Sequence, residues 1–480
     1  MNPASSSLFV IRGAELIDGS TAPRRAADVA VRDGRIAAVL PPGAAADGPV
    51  VDAGGLVLCP GFIDTHSHDD GLLLQETVPH PKLMQGVATV VTGNCGLSLA
   101  PLTMAEPPAP LDVLGQHDAP RFAAFGDYLA RLDAVSPSMN VVPLIGHTNL
   151  RLQHVADLVR PADPAECRAM RDDVAAALEA GAFGLSTGVY YPPARAASTD
   201  EMVEVAAALK ARPGAILAMH LRDEADAIAP AIDEALLVGR SCGATLLLSH
   251  HKVIGRRNHG RTRQTLQVID AAAARQPVCL DCYPYAASST MLRADRIADA
   301  DDVLVTWSGP HPEQGGRRLR TIAAEWGMSL EAAARRLMPG GAVYFALSEG
   351  DVERVLVHPL TMIGSDGLPH DAHPHPRLWG SFPRVLGHYS RDRGLLPLET
   401  AVHKMTGLPA QRFGLAHRGR IAAGCAADLV LFDPARIRDG ATYEQPTTRP
   451  EGLHALWING RLVMRDGELQ ELHAGRRLRP

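Results

Sequence analysis

The chain contains no uninterrupted apolar run of about 18 residues, the length a membrane-spanning helix requires, so no transmembrane helix is expected. Met1 to Ser7 carry no basic segment leading into an apolar one, so no secretory leader is expected either. Positive charge is not gathered into a stripe: 47 Lys and Arg face 53 Asp and Glu, a formal net charge of −6. Little on such a surface attracts a phosphate backbone, which argues against nucleic acid as a partner. A disulfide framework is also missing. The seven cysteines are odd in number and scattered (Cys59, Cys95, Cys167, Cys242, Cys279, Cys282, Cys425). A reducing cytoplasm is therefore the expected compartment, and there thiols stay free to bind metal.

What is present is a long chain with ample apolar content: 480 residues, 46% hydrophobic. Length alone would fit about three domains, but a (β/α)8 barrel often uses about 250 residues or more as one unit. The first stretch reads as short strands at 8–11, 15–18, 28–31 and 36–39. A hairpin turn is expected at Arg32-Asp33-Gly34-Arg35. The far end repeats the strand–turn–strand pattern, from Ala427-Asp428-Leu429 through Asn459-Gly460 to Asp466-Gly467. Two β-rich ends around a different middle predict one β-sandwich domain built from 1–60 plus 416–480.

The middle, 61–415, alternates apolar strands with alanine-rich helices. Strands are expected at 61–64, 88–91, 140–145, 184–186, 216–219, 245–249, 278–281 and 361–363. Helices include 165–180, 199–211, 227–239 and 264–275. Eight strands alternating with helices predict an α/β fold, a TIM-like (β/α)8 barrel. Residues from about 287 to 344 fit neither one strand nor one helix and read as an insertion over the barrel mouth.

The strongest local signal is His66-Ser67-His68 after Gly61-Phe62-Ile63-Asp64-Thr65. Residues two apart on a strand project to the same side, so two imidazoles there can share a metal. Asp64, Asp69 and Asp70 flank them, as outer carboxylates would. Cys95, His220, His250 and Asp366 each end a predicted strand. Taken singly, each has a plainer explanation: a small buried hydrophobe, a hydrogen-bonded core histidine, a helix cap. Six of them on the one ring of strand tips that carries a barrel's active site need a common cause, and metal binding supplies it. Thiolate and imidazole are the ligands zinc prefers. The expectation is one tight zinc site from Cys95, His220 and His250, open to water. His66 and His68 would form a second, weaker or substrate-dependent site, and Asp366 would carry the proton.

These residues resemble the amidohydrolase superfamily and, within it, the D-aminoacylases, or N-acyl-D-amino-acid deacylases. The resemblance runs from Pro60-Gly61-Phe62-Ile63-Asp64-Thr65-His66-Ser67-His68-Asp69 and Gly93-Asn94-Cys95-Gly96 through Gly146-His147 and Gly184-Leu185-Ser186-Thr187-Gly188. It continues over Met219-His220-Leu221-Arg222, Ser249-His250-His251-Lys252 and Tyr283-Pro284-Tyr285 to Gly364-Ser365-Asp366-Gly367, His375-Pro376-Arg377 and Ala427-Asp428-Leu429. It implies a barrel plus a β-sandwich, zinc and D-stereochemistry. No lysine at a strand end calls for a carbamylated bridge, and Cys95 looks like its replacement. Whether one or two metals act is left open.

The expected reaction is hydrolysis of a small N-acyl amino acid. The metal makes water acidic near neutrality. Asp366 takes the water's proton and returns it to the leaving amine, and His68 or a tyrosine hydroxyl assists the metal at the oxyanion. Lys252, Tyr283, Ser289 and Arg377 are expected to hold the substrate carboxylate. Arg296, in the insertion, would make more positive charge than one carboxylate needs, which favours N-acyl-D-glutamate. Tyr191, Tyr344 and Leu347 could instead line an apolar pocket for a hydrophobic side chain. The rivals are a cyclic-amide hydrolase such as a hydantoinase, a deaminase, and a non-catalytic scaffold on the same barrel. The oligomeric state is not legible.

Overall fold

The structure is a computed structural model that describes residues 8–44, 47–75, 81–104, 106–114 and 120–480. Met1 to Ser7, read above for a leader, lie outside them. Among the described residues no helix is long and apolar enough to cross a membrane.

Eight parallel strands run in sequence order around one sheet: β1 (Phe62–Asp64), β2 (Val87–Thr92), β3 (Asn140–Gly146), β4 (Gly184–Gly188), β5 (Ile216–His220), β6 (Thr245–Leu248), β7 (Val278–Cys282) and β8 (Thr361–Ile363). The sheet curls until its ends meet. Thr65 N donates to Ile363 O at 3.4 Å, and Ser67 and Gly367 form a parallel bridge. This is the barrel that the alternation predicts.

Alternate strand residues face two cores. Ile63, Val91, Leu144, Ala218, Leu247 and Met362 pack in one cluster, while Ile145, Leu217, Met219 and Leu248 belong to the layer under the helices. Period-2 projection produces this split, and burial on both faces explains why the strands read as continuous apolar runs. The helices between follow local rules. Helix Pro164–Ala180 starts at a capping box: Asp163 accepts from Ala165 N and Glu166 N, and Glu166 accepts from Asp163 N. It stops at Gly181, in the left-handed conformation, and buries Cys167, Met170, Val174, Ala177 and Leu178 on one face. Replacing the Asp163 cap by alanine would cost about 1 kcal/mol.

Strands from both chain ends share one nine-stranded sheet. Its seam is Val57–Pro60 against Leu429–Phe432, antiparallel, with Cys59 opposite Val430. Asp33 and Gly34, both at positive φ, close the hairpin between Arg25–Arg32 and Arg35–Leu40. Only Gly61 separates this sheet from β1. A Cβ there would lie 2.5 Å from that of Ala88, so the position tolerates glycine alone.

The stretch that fits no single element has its own small α+β unit. Strands Ser288–Met291, Gly340–Phe345 and Asp302–Ser308 form a three-stranded sheet. Helices Leu319–Trp326 and Leu330–Leu337 bury Ile322, Ala323, Ala334 and Leu337 in the same cluster as Val303, Val305 and Tyr344.

Candidate metal centre

The six residues singled out at strand tips converge at the carboxyl end of the barrel. His66 and His68 follow β1, Cys95 follows β2, His220 ends β5, His250 follows β6 and Asp366 follows β8. All six are buried. Cys95 Sγ lies 3.2 Å from His66 Nε2, 3.4 Å from His250 Nε2 and 3.4 Å from His220 Nδ1. His220 Nδ1 and His250 Nε2 are 2.9 Å apart. Asp366 Oδ1 lies 3.2 Å from His68 Nε2 and 3.6 Å from His66 Nε2.

Three ring nitrogens thus face a sulfur that can offer at most one proton. Two of them also face each other. Lone pairs crowded this way are satisfied by a cation, and the soft sulfur with imidazoles is the set zinc favours. Groups of donors within 4.8 Å of one another form around His66, Cys95 and His250 and around His66, His68 and Asp366. Cys95 is within reach of His66, His220 and His250 alike.

Strain marks the same positions. Among the described residues seven non-glycine residues have positive φ, and three of them are Cys95 (55°), His250 (36°) and Asp366 (49°). Such conformations cost about 1–3 kcal/mol each and persist where surroundings over-determine them.

The electrostatics are set by neighbours. Burial pushes the Cys95 thiol up, but His66, His250 and His220 outweigh it and hold the thiol well below its ordinary range. Burial opposes charge on His68, yet Asp366 and Cys95 raise it to about 9. Asp366 would also be raised by burial; the Arg377 guanidinium, 2.8 Å from Oδ2, keeps it ionised well below the carboxylate range.

A cleft of about 280 Å³ opens onto these donors, lined by His220, His250, Asp366, Lys252, Tyr283, Ser289, Arg296 and Tyr191. Three expected substrate contacts stand differently from the sequence reading. Arg377 is fully buried against Asp366 and donates to Ser289 O at 3.0 Å, so its charge is engaged inside the protein. Tyr344 backs Arg296 instead of lining the cleft: its ring lies 5.1 Å from that guanidinium, and its hydroxyl accepts from Arg293 N and donates to Met291 O. Leu347 lines a separate cavity behind Lys252 and Tyr283.

Two carboxylates escaped the sequence reading. Glu224 Oε1 lies 3.1 Å from His250 Nδ1 and 2.5 Å from Lys252 Nζ, and its Oε2 lies 3.8 Å from His220 Nε2. Asp281 accepts from His250 N at 2.5 Å and lies 3.6 Å from His66 Nδ1. An acid within the otherwise apolar β7 was a readable signal; Glu224, in a loop, offered none.

A closed barrel with sulfur, imidazole and carboxylate donors at its carboxyl end defines a metal-dependent hydrolase of the (β/α)8 class. The chain belongs to the amidohydrolase family, whose signature matches residues 49–308 and 312–464. It is 54% identical over 460 residues to an N-acyl-D-aspartate deacylase of Alcaligenes xylosoxydans xylosoxydans, covering 96% of this chain and 92% of that one. A solved D-aminoacylase, studied for a binuclear metal centre with one-metal activation and second-metal attenuation, superposes with a TM-score of 0.96. It is 51% identical, with 98% of this chain and 99% of that one covered. An N-acyl-D-glutamate deacylase of Bordetella bronchiseptica, solved with zinc and a phosphonate mimic of the tetrahedral intermediate, gives 0.95 at 45% identity, covering 99% and 100%.

Proposed function

We propose that this enzyme is a zinc-dependent deacylase of N-acyl-D-amino acids that releases a carboxylate and a free D-amino acid. The observation that carries the reading is the convergence of Cys95, His220 and His250 with Asp366 on one cleft. Cys95, His220 and His250 would hold one zinc ion, with His66, His68 and Asp366 able to hold a second. When bound, the ion supplies Lewis acidity, making water acidic near neutrality and polarising an acyl carbonyl.

The chain's own groups do the rest. Asp366, ionised beside Arg377, accepts the proton of the attacking water at its carboxylate. It then hands that proton to the leaving nitrogen, so it ends the cycle as it began. The tetrahedral oxyanion is met by the His68 imidazole, with the Tyr283 hydroxyl, buried and without a hydrogen bond among the described residues, also available. Lys252, Tyr283 and Ser289 offer donors to the α-carboxylate. D-stereochemistry is carried over from the relatives.

For the side chain, the reading is an acidic N-acyl-D-amino acid, N-acyl-D-glutamate in the first instance. Lys252 and Arg377 each face a carboxylate of the protein, Glu224 and Asp366. Arg296 is 9% exposed, lines the cleft and bonds only the Tyr190 hydroxyl among described residues. A buried guanidinium without an anion is costly, and a substrate carboxylate satisfies it. The test is zinc analysis coupled to turnover of N-acetyl-D-glutamate, N-acetyl-D-aspartate, N-acetyl-D-leucine and their L-enantiomers. Expected are bound zinc, D-selectivity and a preference for the acids that Arg296→Ala lowers about 10- to 100-fold in kcat/KM. A leucine preference defeats the Arg296 reading. A protein with neither zinc nor turnover is the non-catalytic scaffold.

A further inference from the structure

The barrel seam is poorly closed by its backbone. β1 and β8 are three residues each, and among the described residues the backbone joins them only past their ends, by the 3.4 Å contact of Thr65 N with Ile363 O, the 2.8 Å bond of Asp366 N to His66 O and the Ser67–Gly367 bridge. A side-chain clamp stands at this seam. Asp64, at the end of β1, accepts through Oδ1 from His66 N at 3.1 Å and from Ser365 N at 2.8 Å. Its Oδ2 accepts from the Ser365 hydroxyl at 2.6 Å. Ser365 also accepts from Gly367 N at 3.1 Å, and Asp366 N donates to His66 O at 2.8 Å. Lys82 lies beneath with Nζ 2.8 Å from Asp64 and 2.6 Å from Asp69, all three side chains wholly buried. Gly364 permits the approach: a Cβ there would stand 2.6 Å from that of His66.

We propose that Asp64 and Ser365, charge-balanced by Lys82, form a clamp that fixes Asp366 against His66 and His68, making Ser365 and Lys82 positioning residues for hydrolysis. Asp366 sits in a left-handed conformation, φ 49°, which is less favourable than extended or helical backbone even for an aspartate. The clamp grips the residue before it and its own amide meets His66, so the strained turn is defined from both sides. Arg377 holds the other carboxylate oxygen, 2.8 Å from Oδ2, and the clamp fixes the backbone that presents Oδ1 at 3.2 Å from His68. Lys82 is needed because two buried carboxylates on the β1 side of the seam, Asp64 and Asp69, would otherwise repel each other. The role in hydrolysis rests on the deacylase reading; the placement of Asp366 beside His66 and His68 does not.

The experiment titrates cobalt(II) into the purified apoprotein and measures kcat and KM on the preferred N-acetyl-D-amino acid. Cobalt at the tight trio reports through its thiolate absorption, and a second equivalent reports the His66, His68 and Asp366 side. In Ser365→Ala the thiolate absorption should be unchanged. The second equivalent should bind about 10- to 100-fold more weakly, and kcat should fall by a similar factor at nearly constant KM. Ser365→Thr, which keeps the hydroxyl, should restore both. If Ser365→Ala loses its fold, Asp64→Asn, which keeps the shape, should give the same pattern in milder form. Wild-type second-site affinity and kcat in Ser365→Ala, or in Asp64→Asn where the first does not fold, overturns the clamp. Absence of turnover in the wild-type protein removes the deacylase reading alone, because the cobalt titration still judges the clamp.

Discussion

Glu224 presents one oxygen to each of two imidazoles, on the nitrogens turned away from Cys95. At 3.1 Å from His250 and, beyond a hydrogen bond, 3.8 Å from His220, the carboxylate acts on both rings through its charge, which favours a cation at their inner nitrogens. Burial would push Glu224 up, but Lys252 and the two histidines keep it ionised well below its ordinary range. Replacing it by glutamine keeps the shape and removes the charge. Zinc affinity in Glu224→Gln should fall about 10- to 100-fold, measured by competition with a chromophoric chelator. An unchanged affinity would mean that the rings are oriented by packing alone.

At the scale of elements, the helices outside the barrel carry their own ionic anchors. Glu201, in helix Thr199–Ala206, is buried against Arg151 Nη1 at 2.5 Å and His147 Nε2 at 3.1 Å. Burial alone would raise it, yet His147 and Arg151 hold it down at about 2. A folded-state value below the unfolded one stabilises above the ordinary glutamate range near 4.3 and loses that contribution as pH falls toward 2. Glu201→Gln should therefore cost about 3 kcal/mol at pH 7 by denaturant unfolding, and the deficit should narrow at pH 3.5. A deficit independent of pH would assign the loss to packing.

Elements differ in how plainly the sequence announces them. The barrel strands are readable because both of their faces are buried, and five of them, β1, β2, β5, β6 and β8, lead into one of the six distinctive residues; β4, Gly184–Gly188, is legible chiefly from its place in the alternation. His66 and His68 are readable because a two-residue spacing on a strand has a geometric meaning. The small sheet at the mouth is not readable, since Ser288–Met291 is short, half polar and pairs with Gly340–Phe345 some fifty residues away. The engagement of Arg377 by Asp366 is equally invisible, because it depends on the turn after β8 and the helix Arg377–Arg384 lying side by side.

At the scale of the molecule, the chain's last residues are part of the barrel's support. Val141 N donates to Arg476 O at 3.0 Å, Leu478 N donates to Val141 O at 2.8 Å, and Leu478 joins the inner core cluster. Arg477 pairs with Asp133. Deleting residues 475–480 exposes apolar surface under β3, far from the metal donors. The unfolding free energy should drop by about 3 kcal/mol, while kcat at 25 °C holds. An unaltered unfolding midpoint would show the tail to be a passive strap.

The seam between β1 and β8 also gives the centre a history. The ribosome delivers Cys95, His220 and His250 before it delivers Ser365 and Asp366, which lie more than a hundred residues further on. At about 5–20 residues per second that interval is on the order of ten seconds. During it the nascent chain owns its sulfur and its imidazoles but not the carboxylate that faces them. Closing the ring is thus also the moment at which the set of donors is first complete.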